Sequence, residues 1–486
     1  MSVWERHWYG DVIALRPYLL RKGVLVLLAL DAWLLMLGHA GRYGAGGFNV
    51  AHFLWLDAAQ PLPVPGLYIG VVLVVGLLAL VMALVGESRT GMAALWLLYT
   101  YSWCMSMLDS YQHHYLLSVV LFCLVFFPPA DASGLYALSG IRSRRPAQRC
   151  SQPTATATWS LRAAAQRCSA TLGIVVGGRG WRLATTSAWS YRMLLTFVGI
   201  VYGYTALAKV DDTWRKGHTF RSIGDAGRLL EPLSVHAREL GMSSESFWEL
   251  MASSVVLAEV LLALGYVVVA YSDQLERAWL RLWCLATWLL ALGLHAMIEL
   301  IDLSIGWFSY YMLWAASVAL LPASWLHRLG MAATWPARLL QAGLTRWEQE
   351  QTARREGPLV TLVLACGAAA LTVFAGRALD LPGAPQAALV VAVLLLVRAV
   401  VSARSAAGRA RLQREALATV AAVGLLWLSV TNSDVRYDYY RFVGGDLSRR
   451  DRLEDALSAY LKAERYAPEG ESRKDKIARL KRQLGI

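Results

Sequence analysis

Lysine is scarce in this chain: only seven of its 47 basic residues are lysine, and the other forty are arginine. Charge of either sign is thin, 17% of 486 residues against 57% hydrophobic. That balance excludes a water-soluble globular protein. The apolar runs are too long for ordinary core helices and match the roughly 20 residues that cross a bilayer, so the chain reads as an all-α, polytopic transmembrane helical bundle. Cysteine is sparse as well. Cys104, Cys123, Cys284 and Cys366 lie in apolar runs, Cys150 and Cys168 in an arginine-rich loop, with no CxxC or Cys/His spacing. A disulfide framework and a zinc site are thereby excluded, and no metal is expected. No glycine loop that could cradle a phosphate occurs. No module interleaves basic residues with stacking aromatics, so the net charge of +13 is not read as nucleic-acid affinity. The stretch Met1 to Lys22 has no cleavage site, and the first apolar run reads as a retained helix.

What the sequence does have is eleven apolar segments. They run Gly23–Ala40, Leu67–Gly86, Gly91–Leu108, Tyr115–Phe127, Met193–Lys209, Glu249–Tyr271, Ala278–Ile298, Ile305–Leu321, Leu359–Leu379, Gln386–Ala403 and Ala416–Val430, the fourth short enough to predict a start near Tyr111. Twenty Trp and 21 Tyr suit the two interfacial belts of a lipid bilayer. The loop charges set the sense of insertion. Residues 128–190 carry Arg142, Arg144, Arg145, Arg149, Arg162, Arg167, Arg179 and Arg182 against Asp131 alone, while loops 109–114, 299–304 and 380–385 have no Lys or Arg. Under the positive-inside rule the N-terminus is cytoplasmic and the C-terminal tail extracytoplasmic.

Three regions are expected: a membrane domain over 1–325, three further transmembrane helices with basic inner loops over 326–431, and a soluble tail over 432–486. The tail resembles one tetratricopeptide unit, with small residues where two helices touch, Pro468 after the second, and a helix Lys474–Leu484 able to cap the pair. Residues 141–190, rich in Ala, Ser, Thr and Arg, read as disordered or surface-bound.

Lys209 ends the fifth span on its outer side, opposite to where a topogenic lysine belongs, and Asp211 and Asp212 follow it. Unlike a guanidinium, an amine can give up its proton when desolvated, so Lys209 is either a base or a helix anchor that snorkels. His113 and His114 precede the fourth span at the same membrane level. His295 and Glu299, four apart, share a helix face, whether as a packing hydrogen bond or beside a pocket. Glu259, mid-span, should face inward for structural or functional reasons. The outer ends of these elements are expected to converge.

Four stretches then form a pattern: Phe53 to Pro63, Gln112 to Leu116, Ala208 to Trp214, and Leu303 to Leu313. In this order they resemble the membrane (HTTM) domain of the vitamin K-dependent γ-carboxylase family over about residues 1–325, most specifically in the last two stretches. The resemblance implies a quinol-dependent oxygenase and carboxylase, with reduced vitamin K or a menaquinol-type quinol as cofactor and O2 and CO2 as co-substrates. It implies that Lys209 is the base that deprotonates the quinol and that His113 serves carboxylation, with Gln112 where the family has Asn. Tyr115 and Trp214 match as pocket residues. An extracytoplasmic glutamyl peptide would be the acceptor. The departure is the C-terminal part: three more spans and a short tail stand where family members have a large lumenal region. Two other classes remain, a non-catalytic HTTM protein acting in export, immunity or assembly through its outer tail, and a transporter, for which no inverted repeat is visible.

Overall fold

A computed structural model of the chain describes residues 8–40, 65–84, 88–104, 112–127, 171–176, 179–271, 278–303, 305–322, 325–326, 328, 358–402, 406–431, 435–468 and 470–486. Nearly all of these are helical, and each of the eleven apolar segments falls on helix. Among the described residues five helices are long and apolar enough to cross a bilayer, which makes the chain an integral membrane protein. They are α3 (Pro65–Leu84), α10 (Ser244–Tyr271), α11 (Ala278–Leu300), α13 (Pro358–Ala378) and α14 (Ala384–Ser402). The other six segments form α1 (Leu15–Asp31), α4 (Arg89–Cys104), α5 (Gln112–Val125), α6 (Trp189–Leu207), α12 (Phe308–Leu320) and α15 (Ala406–Thr431). These fall short of that measure by length or polarity: α5 has 14 residues, α12 has 13, and α6 carries Arg192.

By compactness the chain divides into two units. The first comprises residues 1–21, 126–303 and 312–335, the second 22–125, 304–311 and 336–486. This division cuts across the three regions drawn from composition, and the tail shares its unit with residues 22–125.

The first unit departs from an all-helical fold in one place. Strand β3 (Arg179–Ser187) pairs antiparallel with β1 (Asp11–Ile13), register Asp11↔Ser187, and with β2 (Thr171–Val176), register Thr171↔Ala184. Residues 171–187, expected to be unstructured, thus include two strands; their Thr171, Ile174, Val175, Val176, Thr185 and Thr186 are β-branched and suit a pleated surface. The rest of that loop, 128–170, lies outside the described residues. In this unit α6 packs along α10. Gly199 and Gly203, one turn apart, set the approach: a Cβ on Gly199 would come within 3.1 Å of Val267 Cγ2 and 3.3 Å of the Ala263 carbonyl. The buried Arg16 closes this unit, its guanidinium donating to the carbonyls of Val318, Ala319 and Leu321 at the end of α12.

In the second unit α1 passes through a π-helical turn, Ala32–Met36, before its last turn, α2 (Leu37–Ala40). Lys22 donates to the Met82 and Ala83 carbonyls at the end of α3, at 3.1 and 2.7 Å. The tail folds as α16 (Val435–Arg449), α17 (Leu453–Arg465) and α18 (Lys474–Leu484). Gly444 on α16 lies against the Tyr460 ring, the small residue expected at a helix–helix contact, and α18 covers the pair through Ile477 and Leu480.

Candidate functional site

Between α6 and α10, in the first unit, lies an ion pair of two residues fifty positions apart. Lys209 Nζ is 2.6 Å from Glu259 Oε1 and also donates to the Thr205 carbonyl at 3.3 Å. The two side chains keep 21% and 10% of their exposure. Glu259 faces inward, as a carboxylate in a membrane-spanning helix must if it is not to meet lipid. Its second oxygen, Oε2, is buried and accepts no hydrogen bond. The Thr205 hydroxyl nearby donates to the Tyr202 carbonyl.

The segment after Lys209 forms a small cap with a core of its own. Asp211 ends the run by capping a one-turn helix, α7 (Asp212–Arg215), accepting the Trp214 amide N–H at 2.8 Å on Oδ1 and the Thr213 hydroxyl at 2.9 Å on Oδ2. Both oxygens of Asp211 are therefore engaged by the backbone turn, and Asp212, fully outside, lies 3.8 Å from Arg215. Neither aspartate is the counter-ion of Lys209. After α7 the chain turns at Gly217, whose φ of +74° is left-handed and whose missing Cβ lets the Trp248 backbone approach. Two more helices follow, α8 (His218–Ser222) and α9 (Ala226–Glu239). Trp214, Phe220, Leu230, Phe247 and Trp248 pack together beneath them. Trp214 donates Nε1–H to the Ala252 carbonyl at 3.3 Å and presents its ring to Lys209 Nζ, 5.3 Å from the centroid. Trp214 thus stands beside the Lys209 amine.

Two turns back along α6 from Lys209, Tyr202 stacks on Tyr266 with centroids 5.8 Å apart and shares a 2.7 Å hydrogen bond with His295 Nε2. Tyr266 is likewise two turns from Glu259 along α10, so the two pairs are successive rungs between antiparallel helices. His295 is buried whereas Glu299, one turn further on α11, is exposed, so the two do not share a buried face.

The histidines of the fourth span belong to the second unit. His114 is buried, its Nδ1 2.8 Å from Tyr99 OH, with the Trp103 ring stacked at 6.2 Å. Tyr115 is exposed and meets the Trp103 edge at 4.4 Å. His113 lies in the first turn of α5 and its side chain falls outside the described residues. Lys209, Glu259 and Trp214 are therefore brought together, with Tyr202 and His295 one rung away.

Two features escaped the sequence reading. Tyr202 is one of 21 tyrosines, and nothing in the string marks it. Asp31, buried in the second unit and accepting from Tyr311 OH at 3.1 Å, did carry a signal: it is the lone acid inside the first apolar run, immediately before the π-helical turn.

No protein-family model, no curated protein and no solved structure matches this chain.

Proposed function

We propose that the Lys209–Glu259 pair is the proton-handling centre of a membrane-embedded, quinol-dependent oxygenase of γ-carboxylase type. One observation carries this reading: the pair is short but open, one carboxylate oxygen being spent on the amine while Oε2 is buried without a donor. Native proteins rarely leave a buried acceptor unpaired, and the exceptions concentrate where a ligand supplies the missing partner. A quinol hydroxyl is a donor of that kind, and the Trp214 ring offers an apolar wall beside it, so the residues fit the cofactor. When bound, the quinol supplies the electrons that reduce O2.

The chain's own contribution is proton transfer. An ammonium and a carboxylate taken out of water carry a desolvation cost that a neutral amine and carboxylic acid do not. At 2.6 Å the proton can pass from Lys209 Nζ to Glu259 Oε1, which creates a basic amine without changing the net charge of the site. The solitary uncharged amine expected from the sequence is replaced by an amine with an acid at hand. Trp214 favours the cationic form through its ring face and so steadies the pair when Lys209 regains a proton. CO2 addition to an extracytoplasmic glutamyl peptide, with His113 serving that half, completes the reading. So does the inside-to-outside sense drawn from the loop charges, with the tail extracytoplasmic.

A second reading, a non-catalytic membrane scaffold acting through its tail, draws on the same pair: a lysine and a glutamate that neutralise one another need no further purpose. Purified protein in nanodiscs, given reduced quinone and O2, separates the two. Quinone epoxide formed by the full chain and by a deletion of 434–486, and lost in Lys209→Ala, supports the enzyme. No epoxide, with a cellular phenotype that follows the tail and ignores Lys209→Ala, supports the scaffold.

A further inference from the structure

The tail holds a basic surface that the proposed chemistry does not use. Helix α18 carries Lys474, Lys476, Arg479, Lys481 and Arg482 against one acid, Asp475, and all five cations are exposed. Three of the chain's seven lysines are among them. Elsewhere in the tail four arginines have carboxylate partners: Arg449 and Arg450 meet Asp446, Arg452 meets Asp455, and Arg441 meets Glu471. Among the described residues the five cations of α18 are in no ion pair. The opposite face of α18 is apolar and spoken for, since Ile477 and Leu480 pack on Ala456, Leu457 and Tyr460.

The position of this helix is fixed by a chain of contacts within the second unit. Asp380 stands in the turn that joins α13 to α14, two helices able to cross the bilayer, and is therefore at a membrane boundary. Tyr440 OH donates to the Asp380 carbonyl at 3.0 Å and Tyr466 OH to its carboxylate at 2.9 Å. One turn before Tyr440, Tyr437 accepts a 2.8 Å hydrogen bond from Arg473 Nε, and Arg473 immediately precedes α18. The start of α18 is thus tied through the Arg473 side chain to the same stretch of α16 that anchors the tail to the membrane edge.

We infer that the exposed face of α18 binds the anionic lipid headgroups of the leaflet at the Asp380 turn. Five unpaired cations held at a bilayer surface meet the condition under which each Lys or Arg gains about 1 kcal/mol from anionic lipid, an attraction that fades within a Debye length. This inference is independent of the quinol reading.

The test is hydrogen exchange of the full chain in nanodiscs. Amides of 474–484 should exchange about tenfold more slowly in discs containing phosphatidylglycerol than in phosphatidylcholine discs, and high salt should remove the difference. Replacing all five cations with Gln, a good helix former, should abolish the protection while 453–465 stays as in wild type. Replacing the three lysines with Arg should keep it, because charge is what is read. Equal exchange in the two lipids overturns the inference, as does protection that survives in the Gln variant. Protection in phosphatidylcholine discs on adding inorganic phosphate would also overturn it, by showing a free-anion surface.

Discussion

Two carboxylate pairs between membrane helices answer the same problem differently. In the second unit Arg398 grips Glu415 with both prongs of its guanidinium, Nε to Oε2 at 2.9 Å and Nη2 to Oε1 at 2.7 Å. In the first unit Lys209 reaches one oxygen of Glu259 and leaves the other bare. The fork engages both carboxylate oxygens and a guanidinium keeps its protons; the ammonium leaves one oxygen open, and an amine, unlike a guanidinium, is a group that can hand a proton to a neighbour. The closed pair is also the wetter one, Arg398 keeping 49% exposure against 21% for Lys209. A chain that writes arginine forty times has a lysine at the pair whose second carboxylate oxygen stays open.

The sharpest way to break this comparison is to convert the open pair into the closed one. Lys209→Arg should cost at least about 100-fold in quinone epoxidation, the range of a lost general base, while the thermal midpoint stays near wild type. Epoxidation that persists would remove the distinction between the pairs. The next effect is on stability. Lys209→Met or Glu259→Leu alone should cost about 3 kcal/mol, the low end for a buried pair because Lys209 is still partly wet. Lys209→Met with Glu259→Leu should recover most of it, measured by unfolding in mixed micelles as a double-mutant cycle. Arg398→Lys should cost under about 1 kcal/mol, since a half-exposed pair gains little.

A pH effect sharpens the comparison at the tail, where the Asp380 clasp joins a carboxylate and its carbonyl to two phenols. Burial, and then the charge of Asp380, raises the Tyr440 phenol above its ordinary value, and burial pushes Tyr439 up to about 12. Protons held more tightly in the folded tail stabilise it fully below about pH 10, the value for a free tyrosine. That contribution disappears as pH rises through the raised values. Proteolysis of residues 435–486 should therefore set in on the alkaline side. Tyr466→Phe should bring it on earlier at a cost of about 1 kcal/mol. The smallest change is expected for Glu464→Gln. Glu464 is half-buried and accepts the Ser472 hydroxyl and the Arg473 amide, which hold its carboxyl below the usual range, so the loss should show only as slight fraying of α18 above about pH 4.5, and the variant and wild type should converge as pH falls through the lowered value.

The helices were legible because hydropathy over twenty residues is a strong, local signal, and α18 begins and ends where its sequence predicts. Lys209, Glu259 and Trp214 were each legible as single residues that ought to matter. Their partnership was not, because a pairing across fifty residues depends on helix rotation and on Gly199 and Gly203 letting α6 approach α10. Proximity in sequence misled in the case of Asp211, whose carboxylate is claimed by the nearest amide before any distant amine can compete. Strands β2 and β3 were hidden because they end a long stretch rich in Ala, Ser, Thr and Arg that reads as a loop, although their own β-branched residues suit the pairing with each other and with β1.

Arg16 raises a question about how the protein is made. Its guanidinium ends on carbonyls that lie 302 to 305 residues later in the chain. At 5–20 residues per second the ribosome needs roughly a quarter of a minute to a full minute to deliver them. Throughout that delay the first helix exposes a cation destined for the protein interior. It must be sheltered meanwhile by lipid phosphate, by water at the interface, or by the insertion machinery, which makes the closing step of folding a late one, joining the start of the chain to a helix completed long afterwards.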